Sequence, residues 1–239
     1  MLKTDLHIHT IASGHAYSTI MESVAWAGSI GVEVVAITDH GPSMEGASQA
    51  GYFSNMDRIP RKMQDVNLLM GCEVNVVDFD GNLDLREDLM KRLDIILAGL
   101  HKCTPYPDNS SVVDNTKALI GAMTKNRIHV ISHPYRLDFP VDIVELAKAA
   151  GDRGVLLELN LSALKLFGKK KEFFDQINLM IQETEKLGTK IVVSSDAHIA
   201  LEIGDDSALS AFGIQIPDGL VLGSKNGYNE VTEFLKSRG

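Results

Sequence analysis

The chain has 239 residues, with 23 Lys and Arg against 32 Asp and Glu and a formal net charge of −9. That balance leaves no evident basic face to neutralise a phosphate backbone, which disfavours broad association with nucleic acid or an anionic membrane. A composition of 44% hydrophobic and 23% charged residues excludes long disorder, and the length suits one α/β domain over 1–239.

Cys72 and Cys103 are too few for a disulfide framework and fit a reducing compartment. No basic n-region with an apolar stretch behind it opens the chain, and no apolar run reaches about 18 residues. A cytoplasmic location, without membrane insertion, is therefore expected.

In chain order, residues 3–10 (Lys-Thr-Asp-Leu-His-Ile-His-Thr) predict a strand. Its period of two puts His7 and His9 on one face and Leu6 and Ile8 on the other. Two imidazoles on one face can offer two nitrogens to one ion, although so short a motif is weak evidence by itself. Residues 10–17 form a polar loop carrying His15. Thr19 and Glu22 have capping-box spacing and open a helix striped with Ile20, Val24 and Ala27, with Gly28 and Gly31 near its end. A strand at 34–37 follows and runs into Thr38-Asp39-His40.

Residues 41–54 make a longer Gly/Ser-rich loop suited to a lid, and 55–63 predict a short helix limited by Pro60. The strand at 68–74 carries Glu73, with Cys72 facing away from it. Residues 75–84 read as a small hairpin, 87–92 as a helical turn and 94–98 as the strand before His101. A polar loop at 102–110 precedes a helix capped by Ser111 and Asp114, whose apolar side holds Val112, Leu119 and Met123. A strand at 127–131 leads to His133, a helix at 141–150 follows Pro140, and a strand at 154–159 ends beside Asn160. The helix at 171–187, stopped by Gly188, leads to a strand at 190–193 and then to Asp196 and His198. Residues 207–212 and 229–236 read as helices and 220–222 as a short strand.

Roughly seven βα repeats of about 30 residues call for a parallel sheet covered by helices. Ligand-type side chains recur at the ends of six of these strands, and parallel strands bring their C-terminal ends to one face. In an open sheet the edge strands would lie too far apart to share one site, so a closed or nearly closed barrel is favoured.

Together Asp5-Leu6-His7-Ile8-His9-Thr10, Thr38-Asp39-His40, Gly71-Cys72-Glu73, Gly99-Leu100-His101, Ser132-His133-Pro134 and Ser195-Asp196-Ala197-His198 resemble the polymerase and histidinol phosphatase (PHP) family. The resemblance covers nearly the whole chain, with the motifs in family order. It implies a stand-alone phosphoesterase with a trinuclear metal centre in a distorted (β/α)7, TIM-like barrel. It further implies His7, His9, Glu73 and Asp196 on one ion, and Glu73 bridging to a second held by His101 and His133. His15, His40 and His198 would hold the third.

Imidazoles with two carboxylates suit zinc, with manganese or iron as competitors. Closely spaced divalent ions can deprotonate a bridging water and clamp the oxygens of an in-line phosphoryl displacement, so no side-chain nucleophile is required. The expected activity is hydrolysis of small phosphomonoesters. A metal-dependent amidohydrolase and a non-catalytic metal-binding protein are the alternatives, and neither the substrate nor the oligomeric state is legible. Arg136 is the candidate phosphate clamp and is assigned to catalysis with Asp196; Lys102 is a weaker candidate. Asp5 and Asp39 could accept a hydrogen bond from a ligand histidine or bond loop backbone instead. Asn160 could contact substrate or act as a turn residue. His129 reads as structural, and Trp26 as core or helix surface.

Overall fold

The computed structural model describes residues 1–238 and begins with a βα unit: β1 (Thr4–Ile8), α1 (Ile20–Ile30), then β2 (Val34–Ile37). The N-terminus of α1 is set by its cap. The Glu22 N–H donates to the Thr19 hydroxyl, and the Glu22 carboxylate accepts from the Thr19 N–H, so two otherwise orphaned donors are satisfied. Gly31 ends the helix at φ 79°, a left-handed conformation that costs glycine little. The crossover to β4 (Val66–Asn75) contains α2 (Ala50–Phe53) and β3 (Lys62–Met63). The remaining elements are α3 (Glu87–Met90), β5 (Ile95–Gly99), α4 (Val112–Lys125), β6 (Val130–Ile131), α5 (Ile143–Arg153) and β7 (Leu156–Asn160). After them come α6 (Leu161–Phe167), α7 (Lys171–Leu187), β8 (Ile191–Ser194), α8 (Ser207–Ala211) and α9 (Gly227–Ser237).

Strands β1, β2, β4, β5, β6, β7 and β8 pair in that order, each parallel to the next. A bridge between Ile8 and Ala197, with the His9 N–H donating to the Ala197 carbonyl at 2.9 Å, nearly closes the ring. This is the distorted (β/α)7 barrel that the βα repeats and the family resemblance led us to expect.

The expected elements differ from the observed ones where local chemistry overrides periodicity. Residues 55–63 do not form a helix. Pro60 has no N–H to extend one, and the chain makes a 3-10 turn at Met56–Arg58 before β3 pairs antiparallel with β4. The expected strand at 220–222 is reduced to a bridge from Val221 to Ile191. Helix α6 was not expected; it starts directly from β7 because the Asn160 side chain accepts from the Ala163 N–H at 2.8 Å.

Alternation along the strands sorts side chains into two apolar clusters. Val34 and Ala36 of β2, Leu69 of β4, Ile95 and Leu97 of β5, and Leu156 of β7 share the inner cluster. Their neighbours Val35, Ile37, Met70, Cys72, Ile96 and Leu157 pack outward with the helices, so Cys72 does face away from Glu73. Helix α9 closes the floor by adding Val231, Phe234 and Leu235 to the inner cluster. Strand β1 breaks the period: its register slips between Asp5 and Ile8, so Leu6 packs inward and Ile8 outward.

His129 stands at this floor, fully buried, with Nδ1 accepting from the Ile96 N–H at 2.9 Å and its ring edge-on to Phe234. Burial, helped by the nearby Arg127 and Arg238 guanidiniums, pushes its pKa down to about 3 from the ordinary 6.5. Between those values the unfolded chain binds a proton that the folded chain refuses, so stability is lost as pH falls from 6.5 toward 3. The slope from this one group is about 1.4 kcal/mol per pH unit. His129→Asn, whose carbonyl can still accept from Ile96, is expected to flatten the slope by that amount and leave metal content unchanged. Urea melts of both proteins at pH 7 and pH 5 check this; parallel pH slopes would show that His129 titrates normally. Among the described residues, no helix is long and apolar enough to cross a membrane.

Candidate metal centre

Followed toward the C-terminal end of the barrel, the inward positions change character. On β4 they run Leu69, Gly71, Glu73; on β5, Leu97 then Gly99; on β7, Leu156, Glu158, Asn160. Aliphatic side chains fill the lower layer, glycines leave room above it, and carboxylates and imidazoles occupy the top.

Glu73 is fully buried at the centre of this upper layer. Its Oε1 lies 3.1 Å from His101 Nε2 and 3.0 Å from His133 Nε2. Its Oε2 lies 2.9 Å from His40 Nδ1, 3.2 Å from His7 Nε2 and 3.5 Å from His9 Nε2. Asp196 Oδ1 approaches His9 Nε2 at 3.1 Å and His7 Nε2 at 3.5 Å. The His15 ring, in the exposed loop after β1, sits 5.0 Å from the rings of both His40 and His198. The structure thus gathers all nine residues proposed as ligands at one barrel mouth.

Three sets of donor atoms, each within 4.8 Å of one another, stand out: His7, His9 and Asp196; His40, Glu73 and His101; His9, His40 and His198. The first comprises three of the four residues, Glu73 being the other, that the resemblance implies for one ion. The other two show His40 turned toward Glu73 and His9 shared toward His198, so the donor sets overlap, with His9 and His40 each belonging to two of them.

The donor set fits cations for reasons internal to its hydrogen bonding. His40 Nδ1 and Glu73 Oε2 face each other without hydrogen-bond alignment, and both are buried without a partner. Ser13 donates its one proton to Asp39 at 2.7 Å, so its oxygen must accept from His9 Nδ1 at 3.0 Å and from the His40 N–H at 3.1 Å. His7 donates from Nδ1 to Glu158 Oε1 at 2.7 Å. Both imidazoles therefore turn Nε2 lone pairs inward, 3.0 Å apart, beside two carboxylates. A shared cation, or a proton in its place, is what removes that repulsion.

The charge balance of the metal-free chain follows the same logic. Burial opposes a charge on His7, but the carboxylates of Glu158, Glu73 and Asp196 outweigh it and hold its pKa well above the usual histidine value. Burial and the His40 imidazole push His9 well below that value, and burial brings His101 down to about 3. Burial alone would raise Glu73 and Asp196, yet their histidine neighbours keep both carboxyls well below the ordinary range. His7 is thus the imidazole of the cluster whose proton a metal would have to displace. Loading the metal-free protein with zinc at pH 7 is expected to release at least one proton, and affinity is expected to fall as pH falls. Calorimetric titration in buffers of different ionisation enthalpy reads this directly; a buffer-independent enthalpy would contradict it.

For the supporting residues the structure decides between the alternatives that the sequence leaves open. Asp5 does not reach a histidine ring; its oxygens accept from the Ser195 N–H at 3.0 Å and the Gly204 N–H at 2.9 Å, pinning the loop that carries Asp196. Asp39 reaches His9 only through Ser13, while also accepting from the Thr10 N–H and the Tyr52 hydroxyl, both at 2.7 Å. Asn160 is completely buried, with Nδ2 bonded to Glu158 and Asp196 and Oδ1 to the Ala163 N–H, so its side chain faces protein rather than substrate. Arg136 and Lys102 point to Asp138, at 3.5 and 2.9 Å, on the rim beyond His133 and His101. Glu158 and Ser13 are brought into the cluster by the fold without a motif that marks them in the sequence. A charged residue inside the apolar run at 155–159 was the available signal for Glu158; a loop serine carries none.

Residues 3–216 match the family described as RNase P subunit p30. A protein of Clostridium acetobutylicum named Probable phosphatase is 35% identical over 237 residues, covering 98% of this chain and 95% of the relative. One of the same name from Thermoanaerobacter pseudethanolicus is 38% identical over 239 residues, 99% and 96% of the two chains. Among solved structures, histidinol phosphate phosphatase from Lactococcus lactis, complexed with zinc, L-histidinol and phosphate, aligns with a TM-score of 0.64. That alignment covers 99% of this chain and 93% of the other at 13% identity, a likeness of fold.

Proposed function

We infer the function of this chain from two findings: it belongs to the family described as RNase P subunit p30, and it is 35% and 38% identical to proteins named Probable phosphatase. From that premise we propose that it is a PHP-like, metal-dependent phosphatase acting on small phosphomonoesters through a trinuclear centre. The observation that carries the reading is Glu73, whose two oxygens each face a separate set of imidazoles within 3.5 Å. Such a carboxylate holds neighbouring cations at the short separation that in-line phosphoryl displacement uses. Bound divalent ions, zinc first on this imidazole-rich set and manganese or iron after it, would supply an acidified water and positive charge on the phosphoryl oxygens.

The chain's own part is to present and aim. His7, His9, Glu73 and Asp196 would hold one ion, Glu73, His101 and His133 the second, and His15, His40 and His198 the third, with His40 also turned to Glu73. Asp196 is the partly exposed carboxylate of the cluster. Its Oδ2 is anchored by Asn160 at 3.1 Å while Oδ1 faces His9, which suits it to meet substrate as well as metal. Arg136, only loosely paired with Asp138, is the rim cation we assign to the substrate phosphate. The net charge of −9 argues against RNA as the substrate despite the description of the family.

Metal-stripped protein assayed for phosphate release from a panel of phosphomonoesters and phosphodiesters, before and after adding zinc or manganese, tests the proposal. Metal-dependent monoester turnover is the expected result, and relative rates would point to the substrate. Bound metal with no release from any ester would reject the phosphatase reading in favour of amide hydrolysis or plain metal binding.

A further inference from the structure

Strand β7 is the one barrel strand that contributes no proposed ligand, yet its inward side chains are the most tightly wired to those that are. Glu158 is completely buried. Its Oε1 accepts from His7 Nδ1 at 2.7 Å; its Oε2 accepts from the His133 backbone N–H at 2.8 Å and from Asn160 Nδ2 at 3.1 Å. Asn160, also completely buried, gives the same Nδ2 to Asp196 Oδ2 at 3.1 Å, while its Oδ1 caps α6 at Ala163. His133 at φ 31° and Asp196 at φ 54° both adopt the left-handed backbone that side-chain-bearing residues avoid unless their surroundings hold them there.

We infer that Glu158 and Asn160 are positioning residues, one fixing the proton of His7 on Nδ1 and anchoring the strained turn at His133, the other aiming Asp196. The inference rests on the metal-centre reading above. Its sharpest feature is that all three partners of Glu158 are N–H donors, so only a carboxylate accepting on both oxygens satisfies them. In Glu158→Gln the amide nitrogen must confront one of these donors. Facing His7, it forces the proton onto Nε2, the atom aimed at Glu73 and Asp196; facing His133, it removes the anchor of the turn.

The test uses the zinc-loaded full chain with 15N-labelled histidine. Long-range proton–nitrogen NMR of the unaltered protein should show His7 protonated at Nδ1. In Glu158→Gln that signal is expected to disappear or zinc affinity, read by competition with a chromogenic chelator, to weaken by about 10–100-fold. Asn160→Ser keeps a residue that caps helices as well as asparagine does, but loses both Nδ2 bonds. It should weaken zinc binding without moving the His7 proton, and it keeps the inference testable if Glu158→Gln does not fold. Wild-type zinc affinity in Asn160→Ser, together with an unmoved His7 proton and wild-type affinity in any folded Glu158→Gln, overturns the inference. Failure of the unaltered protein to bind zinc at all would instead overturn the metal-centre reading on which it rests.

Discussion

Glu73→Gln is expected to cut kcat/KM by about 10³-fold and to remove metal from both sides of the centre at once. Glutamine keeps the shape but not the charge, and one of its two terminal atoms becomes an N–H donor. Oε1 and Oε2 of Glu73 face His101 and His133 on one side and His7, His9 and His40 on the other, so no orientation of the amide serves both. Loss of one group that supports transition-state charge stabilisation costs about 10²–10³-fold in rate, and losing the carboxylate that the proposed ions share falls at the upper end of that range. Elemental analysis of metal content alongside phosphate-release kinetics checks the result. A full metal complement with kcat/KM within tenfold of the unaltered enzyme would mean that Glu73 does not bridge, and the overlapping-site description would fail with it. The circular dichroism of the metal-free variant separates loss of ligand from loss of fold.

The contrast between Glu73 and Glu158 shows what the sequence makes legible. Glu73 lies two residues before the end of β4, and the motif Gly71-Cys72-Glu73, one of six that converge on the barrel mouth, is what predicts its company. Glu158 stands at the same place in β7, two residues before its end, but no motif marks it inside its apolar run, and its role depends on the donors that His7, the His133 backbone and Asn160 bring to it. The barrel itself was readable because βα alternation is a local pattern. What local pattern could not convey is where that alternation breaks. The register slip in β1 separates Leu6 from Ile8, and Pro60 leaves a two-residue antiparallel strand where a helix was expected. The supporting residues were the hardest to assign. Asp5 and Asp39 are both buried aspartates close in sequence to candidate ligand histidines, and only the folded loops decide that one binds backbone at 195 and 204 and the other reaches His9 through Ser13.

Gly99→Ala is the second large effect expected, and it comes from a residue with no chemistry of its own. Gly99 ends β5 on an inward position directly beneath the pair His101 and His133. A Cβ added there would lie 2.4 Å from Ser132 Oγ, 2.8 Å from His101 Cε1 and 3.1 Å from His133 Cε1. The first two distances are shorter than any real Cβ contact, so the Ser132 hydroxyl and the His101 ring must move, and the His133 ring must give by a few tenths of an ångström. The two Nε2 atoms are 3.2 Å apart and each about as close to Glu73 Oε1, which leaves little room for them to shift and still share an ion. Overpacking of this kind costs about 1–3 kcal/mol of stability, and misplacing reacting groups by about 1 Å can cost ~10²-fold in rate. The expected variant is folded, modestly less stable, about 100-fold slower, and short of the metal on the His101 side while retaining that held by His7 and His9. Gly51→Ala, where an added Cβ meets nothing within 4 Å, is the matched control and should behave as the unaltered protein. A folded Gly99→Ala with full metal occupancy and unaltered kcat/KM would show that the His101 and His133 rings are not fixed by the glycine layer, and that the upper barrel tolerates far more movement than its close contacts imply.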